Sequence, residues 1–139
     1  MRCSGARVAI IVGSRKDLGF AEKAEKVLRE AGADIIVAVL SAHRSPRELD
    51  KFIEENDNSI DVYIAMAGLA AALPGYIASR TLKPVVGVPL PVGPLNGVDA
   101  LLSIVQMPRG VPVASVGIGA AENAAHLVLR ILRLAGKCE

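Results

Sequence analysis

Five short runs rich in β-branched residues punctuate the chain, at residues 8–12, 35–40, 62–66, 84–88 and 113–116, and each is followed by a longer mixed segment. The runs are almost continuously apolar rather than alternating, as expected of strands covered on both faces of a parallel sheet. Between the first two, Leu18, Ala21, Ala24, Val27, Leu28 and Ala31 recur at helical spacing. The opposite face of that segment carries the i,i+4 pairs Glu22 with Lys26 and Glu25 with Arg29, and Gly32 supplies a stop. Ser45-Pro46-Arg47-Glu48 predicts a second helix opened by a capping box, with Pro at its first position. Weaker helical segments follow at about 74–80, 96–105 and 121–134. Five consecutive β-α units predict a three-layer α/β/α domain over residues 1–139. Right-handed crossovers favour a flavodoxin-like five-stranded parallel sheet in the order 2-1-3-4-5.

Composition narrows the partners. With 52% hydrophobic and 22% charged residues the chain is far from disorder. No apolar run approaches the ~18 residues of a membrane span, and no signal-peptide core precedes the first strand. The expectation is a cytoplasmic protein with no membrane partner. A net charge of +2 and an aromatic content of 3% offer neither a basic stripe nor a stacking platform, which argues against nucleic acid.

In open parallel sheets ligands bind beyond the carboxyl ends of the strands. The segment after the first strand, Gly13-Ser14-Arg15-Lys16-Asp17, leads into a helix start that favours an anion. It lacks the later glycines of a dinucleotide fingerprint and the ending of a Walker loop, and Asp17 in isolation reads as a helix cap. After the second strand, Ser41-Ala42-His43-Arg44 gathers a hydroxyl, an imidazole suited to acid/base work and a planar cation suited to phosphate. After the third, Ala67, Gly68 and the run to Leu73 are nearly all small, which lets backbone approach a ligand closely. His126 shares a helical face with Arg130 and Arg133 and reads as solvated surface. Gln106-Met107-Pro108-Arg109-Gly110 precedes the fifth strand and therefore lies at the amino edge of the sheet. A functional role there would have to serve a neighbouring subunit. No cluster has metal-ligand spacing. Cys3 and Cys138 are brought to the same sheet edge by this topology, so a terminal disulfide stands as a hypothesis beside two free thiols.

Five blocks together are specific: Gly13-Ser14-x-x-Asp17, Ser41-Ala42-His43-Arg44-Ser45-Pro46, Ala67-Gly68 to Leu73-Pro74-Gly75, Gly97-Val98-Asp99-Ala100-Leu101, and Ser103-Ile104-Val105-Gln106-Met107-Pro108-Arg109-Gly110. Through them residues 7–134 resemble the PurE family of purine biosynthesis, whose members form 4-carboxy-5-aminoimidazole ribonucleotide (CAIR). The resemblance implies that Ser14 and Asp17 bind the ribonucleotide, with Asp17 at the ribose hydroxyls, and that Ser41 and Arg44 hold its phosphate. It implies His43 as the general acid/base at the carbon being carboxylated, with Lys16, Ala67, Gly68, Ala72 and Leu73 also lining the substrate site. Gln106, Met107 and Pro108 would reach a neighbour's site within a homo-oligomer, an octamer in the family. The chemistry implied uses no cofactor and no metal, and CO2 is a reactant or a transient species.

The sequence departs from the family at three places. Ala72 stands where mutases usually have His, Lys16 replaces a usual Ser, and the family often continues in a further helix past the last residue here. Ala72 and Asp17-Leu18-Gly19-x-x-Glu22-Lys23 lean toward enzymes that carboxylate aminoimidazole ribonucleotide directly with CO2. Arg44, Leu73-Pro74-Gly75 and the 106–110 block lean toward mutases, which move the carboxylate of N5-CAIR from nitrogen to C4, and they cover more of the chain. The reading adopted is the mutase. Its alternatives are the direct carboxylase, a related carboxylase acting on another nucleotide, and a non-catalytic nucleotide-binding or assembly protein.

Overall fold

A computed structural model describes all 139 residues. The strands are β1 (Arg7–Val12), β2 (Asp34–Val39), β3 (Val62–Ala67), β4 (Val85–Pro89) and β5 (Ala114–Ser115), and the helices are α1 (Leu18–Glu30), α2 (Pro46–Asn56), α3 (Leu73–Ala78), α4 (Val98–Val105) and α5 (Ala121–Leu134). All neighbouring strands are parallel, in the order β2-β1-β3-β4-β5. The register sets Ile10 between Val37 and Ile64, and Ala65 beside Gly87.

Alternate side chains of the inner strands point to opposite faces, and each face has its own apolar layer. Val8, Ile10, Val12, Ile64, Met66 and Val88 pack against Ala21, Ala24 and Leu28 of α1 and Ala124, Val128 and Leu132 of α5. Ala9, Ile11, Tyr63 and Ala65 face Leu49 and Ile53 of α2, Leu73 and Ile77 of α3, and Ala100 and Ile104 of α4. Gly87 permits this second layer, because a Cβ there would lie 2.6 Å from Ile104 Cγ2 and 3.2 Å from Pro74 Cβ. Tyr63 is wholly buried, and its hydroxyl donates to Asp57 Oδ1 at 2.7 Å. Burial, reinforced by that carboxylate, pushes the phenol well above its usual range.

The predicted fold class and strand order hold, and so does the extent of α5. Three local expectations change. The fifth run pairs through two residues only, Ala114 with Val86 and Ser115 with Gly87, because Pro112 offers no N–H beside it and the chain turns away at Gly117. Helix α4 starts at Val98, since Asn96 (φ 52°) and Gly97 (φ 91°) are both left-handed. The Ser45 hydroxyl makes no capping bond to α2, although Pro46 occupies the predicted first helical position. No helix is long and apolar enough to cross a membrane.

The chain ends meet beneath β1. Arg2 and Glu139 exchange backbone hydrogen bonds of 3.2 and 2.7 Å, and Cys3 is disulfide-bonded to Cys138. The hypothesised terminal bridge is therefore present. Cys3 is fully buried beside the C-terminal end of α1, where its N–H donates to the Ala31 carbonyl.

Candidate active site at the carboxyl edge of the sheet

The loops leaving β1, β2 and β3 converge on a cleft of about 490 Å³. Ser14, Lys16, Asp17, Ser41, His43, Arg44, Ala67, Gly68, Ala72 and Leu73 all line it, together with Gly13, Ala42, Leu69, Ala70 and Val92. Ten positions predicted for one site from three separate stretches of sequence thus share one cavity. Gln106, Met107 and Pro108 do not line it. Met107 lies instead against Gly75 of α3, where an added Cβ would sit 2.9 Å from its sulfur, and Gln106 and Pro108 are exposed.

Local geometry explains how each group is presented. After β1 the chain makes a single 3₁₀ turn (Arg15–Asp17) before α1 begins, and the Ser14 hydroxyl accepts from the Lys16 N–H at 3.4 Å. Asp17 follows at the junction with α1. It makes no side-chain bond to the helix, so the capping reading of this residue is replaced by a carboxyl directed at the cleft wall. Asp17 is only 7% exposed, the one charged residue in the chain so deeply buried. Burial pushes its carboxyl above the usual range, opposed by the positive charges of Arg44 and Lys16.

After β2 a closed ring of hydrogen bonds shapes the turn that carries His43. The Ser41 N–H donates to Ser45 Oγ at 2.8 Å, the Ser45 hydroxyl donates to the Ser41 carbonyl at 3.2 Å, and the Ser45 N–H donates to the same carbonyl at 3.0 Å. This is why Ser45 is not free to cap α2. The Ser41 hydroxyl accepts from the Arg44 N–H at 3.1 Å, and Arg44 Nη2 reaches across to donate to the Gly13 carbonyl at 2.8 Å. Arg44 therefore ties the β2 loop to the β1 loop while its guanidinium stays exposed. His43, at the crest of the turn, is exposed on the cleft wall. His126 is exposed on α5, as expected of a surface residue.

The wall after β3 is apolar and close. Gly68 leaves no room for a side chain unless its neighbour shifts, since a Cβ would come within 2.7 Å of Val92 Cβ. Leu69 adopts φ 58°, rare for a side-chain-bearing residue, and its Cδ2 reaches the Gly93 backbone. Val92 was missed by sequence reasoning, although the rule that places ligands beyond strand ends applies to the Pro- and Gly-rich loop after β4 as well. Its pairing with Gly68 exists only in the folded chain.

Chemically, one wall offers two cations and hydroxyls suited to an oxyanion, with a buried carboxylate able to accept from hydroxyls. An exposed imidazole stands beside them, facing a wall of small apolar residues.

Residues 7–137 match the family described as AIR carboxylase. The chain is 53% identical over 127 residues to the N5-carboxyaminoimidazole ribonucleotide mutase of Methanocaldococcus jannaschii, covering 91% of this chain and 79% of the relative. It is 48% identical over 134 residues to the mutase of Escherichia coli, covering 94% and 79%. The crystal structure of Treponema denticola PurE superposes with a TM-score of 0.85 at 30% identity, covering 93% of this chain and 81% of that one. Sheet order and sequence identity agree over nearly the whole length, and this chain accordingly belongs to the AIR carboxylase family.

Proposed function

We propose that the chain is an N5-CAIR mutase of purine biosynthesis, converting N5-carboxyaminoimidazole ribonucleotide into CAIR at the cleft above β1, β2 and β3. Relatives of that name at about half identity support the activity, and one observation carries the reading to this chain's residues. Arg44, Ser41, His43, Asp17 and the 67–73 loop, far apart in sequence, line a single cavity.

In the proposed arrangement Ser41 and Arg44 hold the phosphate, and Ser14 and Asp17 hold the ribose. Lys16 adds positive charge at the rim. The reaction then needs little more than confinement and one proton carrier. Cleaving the N–CO2⁻ bond takes up one proton at nitrogen and releases CO2. The electron-rich ring carbon captures that CO2, and the C4–H proton leaves as aromaticity returns. One proton enters and one departs, so a single imidazole at His43 serves both steps. The small, apolar wall of Ala67, Gly68, Ala72 and Leu73 keeps CO2 beside the carbon that attacks it. Holding reactants together in this way contributes on the order of 7–11 kcal/mol in well-oriented systems.

Assembly belongs to the same reading: copies of the chain associate, an octamer by family resemblance, and Gln106, Met107 and Pro108 serve a neighbour's cleft. These residues lie away from their own cleft, and α4 with its approach presents an exposed apolar row, Leu95, Val98, Leu102 and Val105. A fully active monomer in sedimentation would refute the assembly.

Two assays with purified protein test the reaction. N5-CAIR without bicarbonate should yield CAIR, whereas aminoimidazole ribonucleotide with abundant bicarbonate should yield little. The reverse result would assign direct carboxylation and give meaning to Ala72. Replacing His43 by Asn should lower turnover by roughly 10²–10⁴-fold, the usual worth of a positioned acid/base, with nucleotide affinity retained. Unchanged turnover would remove His43 from the mechanism.

A further inference from the structure

The two walls that must face each other in the cleft ride on different helices. His43 and Arg44 precede α2, and the 67–72 loop leads into α3. Both helices lie on the same face of the sheet and share its apolar layer. One turn into α2 and α3, Asp50 and Tyr76 meet, and Arg80, just past the end of α3, completes a polar trio. The Tyr76 hydroxyl donates to Asp50 Oδ1 at 2.9 Å, and Arg80 Nε donates to the same oxygen at 3.1 Å. Arg80 Nη2 donates to the Tyr76 oxygen at 3.3 Å, and its guanidinium lies 4.8 Å from the Tyr76 ring centroid. The hydrogen bond from Tyr76, then that from Arg80, hold the Asp50 carboxyl below its usual range, so the carboxylate stays ionised and accepting at neutral pH.

Two members of the trio connect directly to the cleft elements. Asp50 lies four residues after Pro46, about 6 Å along the helix from its start. The Tyr76 N–H donates to the Ala72 carbonyl at 2.9 Å, so Tyr76 is bonded directly to a cleft-lining residue. No other side-chain hydrogen bond joins α2 to α3. Apolar contacts in the shared layer are non-directional, whereas the two bonds that cross to Asp50, from Tyr76 and from Arg80, are directional and share one acceptor oxygen. We propose that Asp50, Tyr76 and Arg80 are positioning residues that fix the separation between the His43 turn and the 67–73 wall. The inference rests on the mutase reading for its kinetic consequence, but its structural consequence stands apart from it.

The trio has a distinctive kinetic signature. The Arg44–Gly13 bond ties the β2 loop that carries Ser41 and Arg44 to the β1 loop that carries Ser14 and Asp17, and the Ser41–Ser45 ring shapes the former; neither involves α3. Loosening the trio therefore leaves nucleotide binding nearly intact and misplaces the transferring carboxyl relative to His43. A misplacement of about 1 Å is enough to cost up to ~10²-fold in rate. Tyr76→Phe and Asp50→Ala should each lower kcat at least threefold with KM within twofold of the parent. Asp50→Asn, which keeps the accepting oxygen, should retain at least half of kcat. Hydrogen exchange should quicken at 41–47 and 67–73 and stay unchanged in α5. Parent-like kcat in both disruptive variants, equal losses from Asn and Ala at position 50, or unaltered exchange at the two loops would overturn the proposal. If the parent protein itself formed no CAIR, the mutase reading would fall, and the exchange pattern alone would decide the clamp.

Discussion

Opening the Cys3–Cys138 bridge should lower stability substantially without shortening any apolar side chain. The cysteines are 135 residues apart in sequence, so the bond closes nearly the whole chain into a loop. In the chain-entropy treatment a loop of that length restricts the unfolded state by about 17 cal/mol/K, or ~5 kcal/mol at 25 °C. Unfolding entropy near 2.1 cal/mol/K per residue amounts to roughly 0.29 kcal/mol/K for this length, which converts the loss into a fall in Tm of about 17 °C. The measurement is calorimetry of oxidised and fully reduced protein at one protein concentration, with Cys138→Ala as the genetic counterpart. The cross-linked unfolded chain is also more compact, so the denaturant m-value should rise when the bond is opened. Turnover should be unaffected, because the bridge lies below the amino edge of β1 and the cleft lies beyond its carboxyl edge. A Tm difference under about 4 °C, or two free thiols in denatured, unreduced protein, would rule out stabilisation by loop closure.

Three further substitutions test the cleft. Asp17 has its carboxyl raised by burial, so the fold binds that proton more tightly than the unfolded chain and gains stability as pH falls through the folded value. At pH 7 the ionised group therefore costs stability. Asp17→Asn should raise Tm at pH 7, lose that advantage toward pH 4, and weaken nucleotide binding; a lower Tm at pH 7 measured by scanning fluorimetry would contradict the sign. Gly68→Ala should destabilise by ~1–3 kcal/mol through overpacking against Val92. Adding Val92→Gly should recover part of the loss in urea titration, and no recovery would place the strain elsewhere.

The alternation of apolar runs and helical stripes determined the α/β class, and the continuous hydrophobicity of 8–12 and 62–66 marked the central strands, because a residue buried on either face of a parallel sheet must be apolar. Chain order and crossover handedness then determined which loops share an edge, and so which residues could meet. Short-range chemistry was legible wherever a residue acts through its own loop, as with His43 between strand and helix. What depended on partners distant in sequence was not. Ser45 reads as a helix cap until Ser41 takes its hydroxyl, and Asp17 reads as a cap until burial turns it toward the cleft. Val92 became a wall only by meeting Gly68, and Asp50, Tyr76 and Arg80 became a unit only when α2 and α3 settled on one face. The bridge between the chain ends was a hypothesis until tertiary packing set them side by side. Periodicity reports what each segment buries, whereas the identity of a hydrogen-bond or steric partner depends on distances that only the folded chain sets.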